Sequence, residues 1–322
     1  MINSILQGNN IETLKSIPSN YVNCCITSPP YYGLRNYNAE GQIGIEETPE
    51  MYIEKLISVF NEVKRILRND GTLWVNIGDS YAGSGKGGQS ENKKSKNWQP
   101  VYSNHGATYG LKPKDLIGIP WMLAFALREN GWYLRQDIIW NKPNPMPEPV
   151  TDRCVKAHEY LFLLSKSKKY FFDSKAIQEP AIYAFDNRGE RGDNRRGTEC
   201  NSVNGATGEY RNKRDVWTVT TEPLGVAHFA IYPQKLILPC VLCACPENGI
   251  ILDPFMGSGT TAVVAVKNLR NYIGCELNPD YIKIAETRIQ NEKGLFDTMP
   301  EIPPPRYYSG VIIIFYRRRY AN

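Results

Sequence analysis

The chain has 322 residues, 38 Lys and Arg against 33 Asp and Glu, a formal net charge of +5, and 42% hydrophobic and 22% charged residues. Those fractions exclude a wholly disordered, collagen-like or coiled-coil chain, and the length suits one large domain with an insertion or two modest domains. The longest candidate for a membrane span, Val311 to Phe315, is far short of the roughly 20 apolar residues required, and Met1-Ile2-Asn3-Ser4 does not open a signal peptide. The expected location is cytoplasmic, and eight irregularly spaced cysteines fit reduced thiols better than a disulfide framework.

The elements follow in chain order. Tyr21 to Thr27 is a short apolar run stopped by Ser28-Pro29-Pro30, which no central strand continues through. Met51 to Leu67 carries Ile53, Leu56, Ile57, Phe60, Val63, Ile66 and Leu67 at helical spacing, closed by Asn69-Asp70-Gly71. Thr72 to Ile77 returns as a strand. Gly78 to Lys114 is Gly-, Ser-, Asn- and Lys-rich without periodicity, the signature of a functional or disordered loop. A helix is expected near Asp115 to Asn130, a strand near Trp132 to Trp140, then a Pro-rich turn from Lys142 to Pro147. Glu159 to Leu164 and Tyr170 to Phe172 read as further strands, arranged as a hairpin. From about Asp173 to Ala227 the pattern gives way to a polar insert. Then come a helix from Gln234, a strand Gly249 to Leu252, a Gly-rich turn, a helix to Leu269, a strand Tyr272 to Cys275 and a helix from Pro279. Such alternation predicts an open, mostly parallel α/β sheet whose ligands sit beyond the carboxyl ends of the strands.

Charge placement is more informative than its total. Gly83 to Lys114 holds six lysines and one acid, and Ile302 to Asn322 holds four arginines and no acid, so the remaining residues are net acidic. Two basic segments of this kind suit a polyanion, although on charge alone a solvated loop and a solvated tail are the favoured reading.

Two motifs carry chemistry. In Asp253-Pro254-Phe255-Met256-Gly257-Ser258-Gly259-Thr260-Thr261 a strand passes through a glycine turn into a helix start, where backbone can approach a ligand closely. Gly257-x-Gly259-x-x-Ala262 satisfies a loose dinucleotide fingerprint, which leaves a nicotinamide-dependent oxidoreductase open. The acids favour another ligand: Asp253 stands before the glycines and Glu276 closes the next strand, where it can accept from ribose hydroxyls. A carboxylate at the turn is awkward for pyrophosphate and suits S-adenosyl-L-methionine, a cation with one ribose and no phosphate.

The second motif, Ser28-Pro29-Pro30-Tyr31, follows a predicted strand and so shares the same edge. Paired prolines remove two backbone donors and leave carbonyl acceptors facing outward. A serine oxygen beside a proline carbonyl can hold the two hydrogens of an exocyclic amine, and Tyr31 offers a flat face for a base. Drawing those N–H bonds out of plane returns the conjugated lone pair to nitrogen for attack on an activated methyl.

With Ser28-Pro29-Pro30-Tyr31 near the N-terminus and Asp253 to Thr260 near the C-terminus, the sequence from Ile2 to Lys293 resembles the β class of amino-directed DNA methyltransferases. The resemblance implies a Rossmann-like methyltransferase sheet with Ser28, Pro29, Pro30 and Tyr31 catalytic. It implies cofactor binding by Asp253, Phe255, Gly257, Gly259, Thr260 and Glu276, joined by Phe229 and Pro233 from the segment His228 to Leu236. Residues 1–172 would form the catalytic half, 173–227 the target-recognition insert, 228–294 the cofactor half and 295–322 a basic tail. Serine at the first catalytic position favours cytosine N4, with adenine N6 as the alternative within the class. Duplex DNA would be the partner, its target base flipped out of the stack. A cognate restriction endonuclease and homodimers, as in some members, are further implied partners. DNA contacts are assigned to Arg35, Lys86, Lys93, Lys94 and Lys142. A catalytically silent DNA-binding module is the alternative of another class. Cys240, Cys243 and Cys245, with His228, resemble metal ligands, but buried thiols on an apolar helix explain them better and no metal is expected.

Overall fold

The first strand to form a wall of the sheet's centre is Val22–Thr27, in which successive side chains point to opposite faces. From Cys24 onward the alternation holds, Cys25 entering one core and Cys24 and Ile26 the other, while Val22, before the register shift, sides with Cys25. The computed structural model describes residues 1–33, 41–82, 111–181, 210–222 and 232–297. In chain order these form β1 (Ser4–Gln7), α1 (Asn10–Lys15), β2 (Val22–Thr27), α2 (Pro49–Ile66), β3 (Leu67–Ile77), α3 (Ile119–Glu129), β4 (Tyr133–Asn141) and β5 (His158–Ser165). A short 3-10 turn (Lys175–Ile177), β6 (Glu179–Pro180), β7 (Tyr210–Arg211) and β8 (Val216–Thr218) follow. The chain continues with α4 (Gln234–Ala244), β9 (Ile250–Asp253), α5 (Thr260–Lys267), β10 (Asn271–Glu276) and α6 (Pro279–Asp297).

The main sheet runs β1-β10-β9-β2-β3-β5-β4-β8, parallel except where β5 lies antiparallel between β3 and β4. Helices cover both faces. Leu14 of α1, Tyr52, Leu56 and Phe60 of α2, and Leu123 and Leu127 of α3 pack one face, while Leu236, Ile237 and Val241 of α4 and Val263 of α5 pack the other. This is the mostly parallel α/β sheet anticipated from the alternating pattern.

Several boundaries differ for local reasons. Helix α3 starts at Ile119 rather than near Asp115, because Asp79 at the end of β3 accepts from the N–H groups of Gly118 and Ile119 and Pro120 follows at the first turn. Strand β3 begins directly at Leu67; its register against β2 jumps from Val22–Leu67 to Cys24–Thr72, so Arg68 to Gly71 form an irregularity rather than a helix-closing turn. Tyr170 to Phe172 form no strand. Phe171 donates its N–H to the Asp70 carbonyl at 2.9 Å and Phe172 stacks on Trp74, with ring centres 6.4 Å apart. The end of the polar insert is also not separate: β8 joins the main sheet parallel to β4, with Ile139 opposite Val216.

Most of the lysine loop, including Lys86, Lys93 and Lys94, lies outside the described residues, as do Arg35, Phe229, most of the insert and nearly all of the basic tail. The loop's ends are described and pinned together: Tyr81 bridges Leu116, and Ala82 exchanges backbone bonds with Lys114 and Asp115. Both ends therefore leave the sheet at the edge where β3 finishes. Among the described residues, no helix is long and apolar enough to cross a membrane.

Candidate active site

Parallel register brings the carboxyl ends of β1, β10, β9 and β2 level, with Gln7 opposite Glu276, Gly274 opposite Asp253, and Cys25 opposite Leu252. Each strand ends in a turn over the same cleft. The two motifs, more than 200 residues apart in sequence, therefore meet: Ser28, Pro29, Pro30 and Tyr31 line the same cleft as Phe255, Gly257, Thr260 and Glu276.

On the cofactor side, Gly257 (φ +53°) and Gly259 (φ +82°) adopt left-handed backbone that favours glycine. Their roles differ. Gly257 borders the cleft, and a Cβ there would meet nothing closer than 3.9 Å, so open space lies beside it. A Cβ on Gly259 would come within 2.7 Å of the Ala285 Cβ, so this glycine lets α5 and α6 pack and does not itself border the cleft. Glu276 accepts from the N–H groups of Gly257 and Asn278, both at 2.8 Å, one on each carboxylate oxygen. A carboxylate has about four acceptor positions, so each oxygen keeps capacity for a further donor in the cleft. Burial pushes the Glu276 pKa up, opposed by those backbone bonds.

Asp253 is placed differently from its sequence assignment. It is 1% exposed and does not border the cleft. Its Oδ1 accepts from the Thr27 hydroxyl at 2.6 Å and the Phe255 N–H at 3.0 Å, and its Oδ2 from the Thr261 hydroxyl at 2.5 Å and the Tyr232 hydroxyl at 3.1 Å. The Tyr232 and Thr261 hydroxyls also contact each other. Asp253 thus ties β2, β9, α5 and the segment before α4 together beneath the cleft, instead of facing a bound cation. Burial raises its pKa, and the donors partly offset this. Pro233 is buried at the N-terminus of α4 and likewise does not border the cleft, whereas its neighbour Tyr232 does.

On the catalytic side, the buried Tyr52 hydroxyl donates to the Pro30 carbonyl at 2.7 Å, which fixes that carbonyl and uses one of its two acceptor positions. Ser28 Oγ lies 3.5 Å from Asn76 Oδ1. Tyr31 is half-buried, its hydroxyl 2.5 Å from Glu159 Oε2 and 3.3 Å from Asn76 Oδ1. Burial first, then the Glu159 carboxylate, pushes its pKa well above the usual phenol value, so the phenol stays protonated. Asn76 donates to Glu159 Oε2 at 3.3 Å and to the Tyr160 carbonyl at 3.1 Å.

Lys142, assigned to DNA, is drawn into this cluster. Its ammonium pairs with Glu159 Oε1 and lies 4.2 Å from the centre of the Trp140 ring, with a side chain only 17% exposed. A lysine already paired and mostly covered is a poor phosphate contact. Neighbouring Lys156 donates to the Asp79 carbonyl at 2.5 Å, and burial lowers its pKa. Sequence reasoning missed Glu159, Asn76, Tyr52 and Tyr232. The signal available for Glu159 was an acid opening the apolar run Tyr160 to Leu164; only the antiparallel course of β5 puts that opening at the cleft edge.

A central sheet of this order with a glycine turn and a proline-paired turn facing one cleft defines a methyltransferase-type α/β enzyme. The model of the DNA methylase family matches residues 22–287, and the chain belongs to that family of N6 and N4 enzymes. It is 45% identical over 289 residues to the Type II methyltransferase M.Cfr9I of Citrobacter freundii, covering 90% of this chain and 88% of that protein. The PvuII DNA methyltransferase, described as cytosine-N4-specific, superposes with a TM-score of 0.61 at 18% identity over 92% of each chain. TTHA0409 of Thermus thermophilus, in complex with S-adenosyl-L-methionine, gives a TM-score of 0.55 at 23% identity over 89% of this chain and 95% of its own.

Proposed function

We propose that this DNA methyltransferase is a Type II modification enzyme that methylates the exocyclic N4 of a cytosine flipped out of duplex DNA, using S-adenosyl-L-methionine. The observation that carries the reading is the meeting of Ser28-Pro29 with the Gly257–Glu276 side of one cleft. The cofactor would supply an electrophilic methyl on a sulfonium. The protein's residues fit it: Gly257 leaves room beside the backbone, and half-buried Glu276 retains acceptor capacity for ribose hydroxyls and brings a negative charge to the cleft.

In the same cleft, Ser28 Oγ and the Pro29 carbonyl would accept the two amino hydrogens and draw the nitrogen out of the ring plane, while the Tyr31 face stacks on the base. Such groups act by stabilising the charge that develops on the amine, and no covalent intermediate is needed. Serine rather than aspartate at position 28 favours cytosine by family resemblance. The test is expression in a host lacking DNA methylation followed by mass spectrometry of digested nucleosides. N4-methylcytosine is expected; N6-methyladenine would overturn the target base, and neither would overturn the reading.

Two smaller expectations follow from the geometry. Because the Glu276 pKa is raised, affinity for S-adenosyl-L-methionine should fall with decreasing pH from above the ordinary carboxylate range, as protonation removes both charge and acceptors. Asp253, also raised, titrates in the same direction, so Glu276→Gln should flatten this dependence without abolishing it in calorimetric titrations. Gly78 lies against the Tyr31 ring, where a Cβ would come within 2.7 Å of the ring edge. Gly78→Ala should displace the ring and lower kcat about tenfold, with cofactor affinity preserved in the same titrations.

A further inference from the structure

The structure assigns Glu159 as a positioning residue that locks the catalytic Tyr31 ring in the orientation a flipped base requires, with Lys142 and Asn76 holding Glu159 in place. The inference rests on the proposed reading of Tyr31 as the base-facing residue, and deepens it by naming what fixes that residue. Three observations carry it.

First, the Tyr31 hydroxyl is anchored at the far end of the ring. Its short bond to Glu159 Oε2 is charge-assisted, the stronger class of hydrogen bond, and Asn76 contacts both partners. Second, the anchor is itself fixed. Lys142 takes Glu159 Oε1 while lying over Trp140, and both charged side chains are mostly covered, at 17% and 13% exposed. A tyrosine bonded to a free surface carboxylate would gain little order, whereas a carboxylate held by an ion pair and an amide restricts the ring it grips. Third, the ring's near edge rests on Gly78, the only residue type that leaves room there. A ring held at its edge by backbone and at its hydroxyl by a fixed carboxylate has one orientation available.

The residues come from four strands' ends: Tyr31 after β2, Asn76 near the end of β3, Lys142 after β4 and Glu159 near the start of β5. A residue that orients another without touching the base should act on turnover more than on binding. Removing either end of the Tyr31–Glu159 bond frees the same ring, so the two changes should not multiply.

The test is steady-state and single-turnover methylation of a duplex carrying a methylatable site by Tyr31→Phe, Glu159→Ala, their double variant, Glu159→Gln and Tyr31→Ala. Tyr31→Phe and Glu159→Ala should each lose about tenfold to a hundredfold in kcat with little change in KM for DNA. The double variant should lose no more than the worse single change. Glu159→Gln, which still accepts from the hydroxyl, should recover most of the loss. Because that change leaves Lys142 without its partner, the pair Glu159→Gln, Lys142→Met is included, and thermal melts confirm that each variant folds. Multiplicative losses in the double variant, or equal losses in the Gln and Ala variants, would overturn the inference while leaving the base-facing role of Tyr31 intact. Full turnover by Tyr31→Ala would overturn that role and the inference with it.

Discussion

Ser28→Ala should lose about a hundredfold in kcat while binding S-adenosyl-L-methionine as tightly as the unmodified protein. The nitrogen to be methylated is a poor nucleophile until its hydrogens are drawn away from the ring plane. With the Pro30 carbonyl already accepting from Tyr52, Ser28 Oγ and the Pro29 carbonyl are the proposed acceptors for the amine. Losing one of two leaves a single acceptor, which can tilt the amine but cannot grip both hydrogens. Glu276 and Gly257, the proposed cofactor contacts, are different residues of the cleft lining, so the substitution should leave them in place. Rapid-quench methyl transfer and isothermal titration check both halves. A change in kcat below about threefold, which corresponds to well under 1 kcal/mol in the barrier, would remove Ser28 from catalysis.

Asp253→Ala should be the most damaging change for the fold. The side chain, itself buried, collects three hydroxyls and one backbone N–H at the floor of the cleft. Removing it leaves these donors without their acceptor, a loss on the order of 3 kcal/mol after the hydroxyls turn to other partners. Asp253→Asn should recover only part of this, because its amide hydrogens would face donors. Urea unfolding should show a lower midpoint at unchanged slope for both variants. Cofactor affinity should fall as well, as a consequence of a slack floor. Glu276→Gln is the contrasting case: it turns an amide nitrogen toward one of two backbone N–H groups, so it should cost about 1 kcal/mol of stability, less than Asp253→Ala, and weaken cofactor binding about tenfold. If Asp253→Ala melted like the unmodified protein and lost only affinity, the carboxylate would be a direct ligand and its placement beneath the cleft would be wrong.

The contrast between these two acids shows where sequence reading reaches and where it stops. Strands that end in a helix-starting glycine turn or in a proline pair announce themselves locally, so the cleft's two sides and the parallel α/β sheet were legible. Whether an acid at a strand end faces a ligand or a ring of hydroxyls depends on Thr27 and Tyr232, which come from other elements. The same limit applies to Glu159 and Lys142. Lys142 reads as a free cation beside a Pro-rich turn, and Glu159 as the polar start of a strand. Only the insertion of β5 antiparallel between β3 and β4 puts them in contact at the cleft. Tyr170 to Phe172 misled for a related reason. Aromatic residues that look like a strand cap the core beside Trp74 while their backbone bonds go to the irregular start of β3.

The segment from Asp173 to Thr218 leaves and re-enters the fold at fixed points. Asp173 donates its N–H to the Cys243 carbonyl of α4, β6 pairs with β7 across the segment's neck, Glu179 binds both Arg211 and Arg214, and β8 completes the edge of the sheet. Both described ends of the segment are therefore held at one neck, so a change in the length of chain joining β6 to β7 need not disturb the sheet. Doubling its length would cost only about 0.6 kcal/mol in closure entropy. Three strands, β4, β5 and β3, separate β8 from β2, so an altered segment would meet the sheet at its edge while the cleft after β2 keeps its geometry.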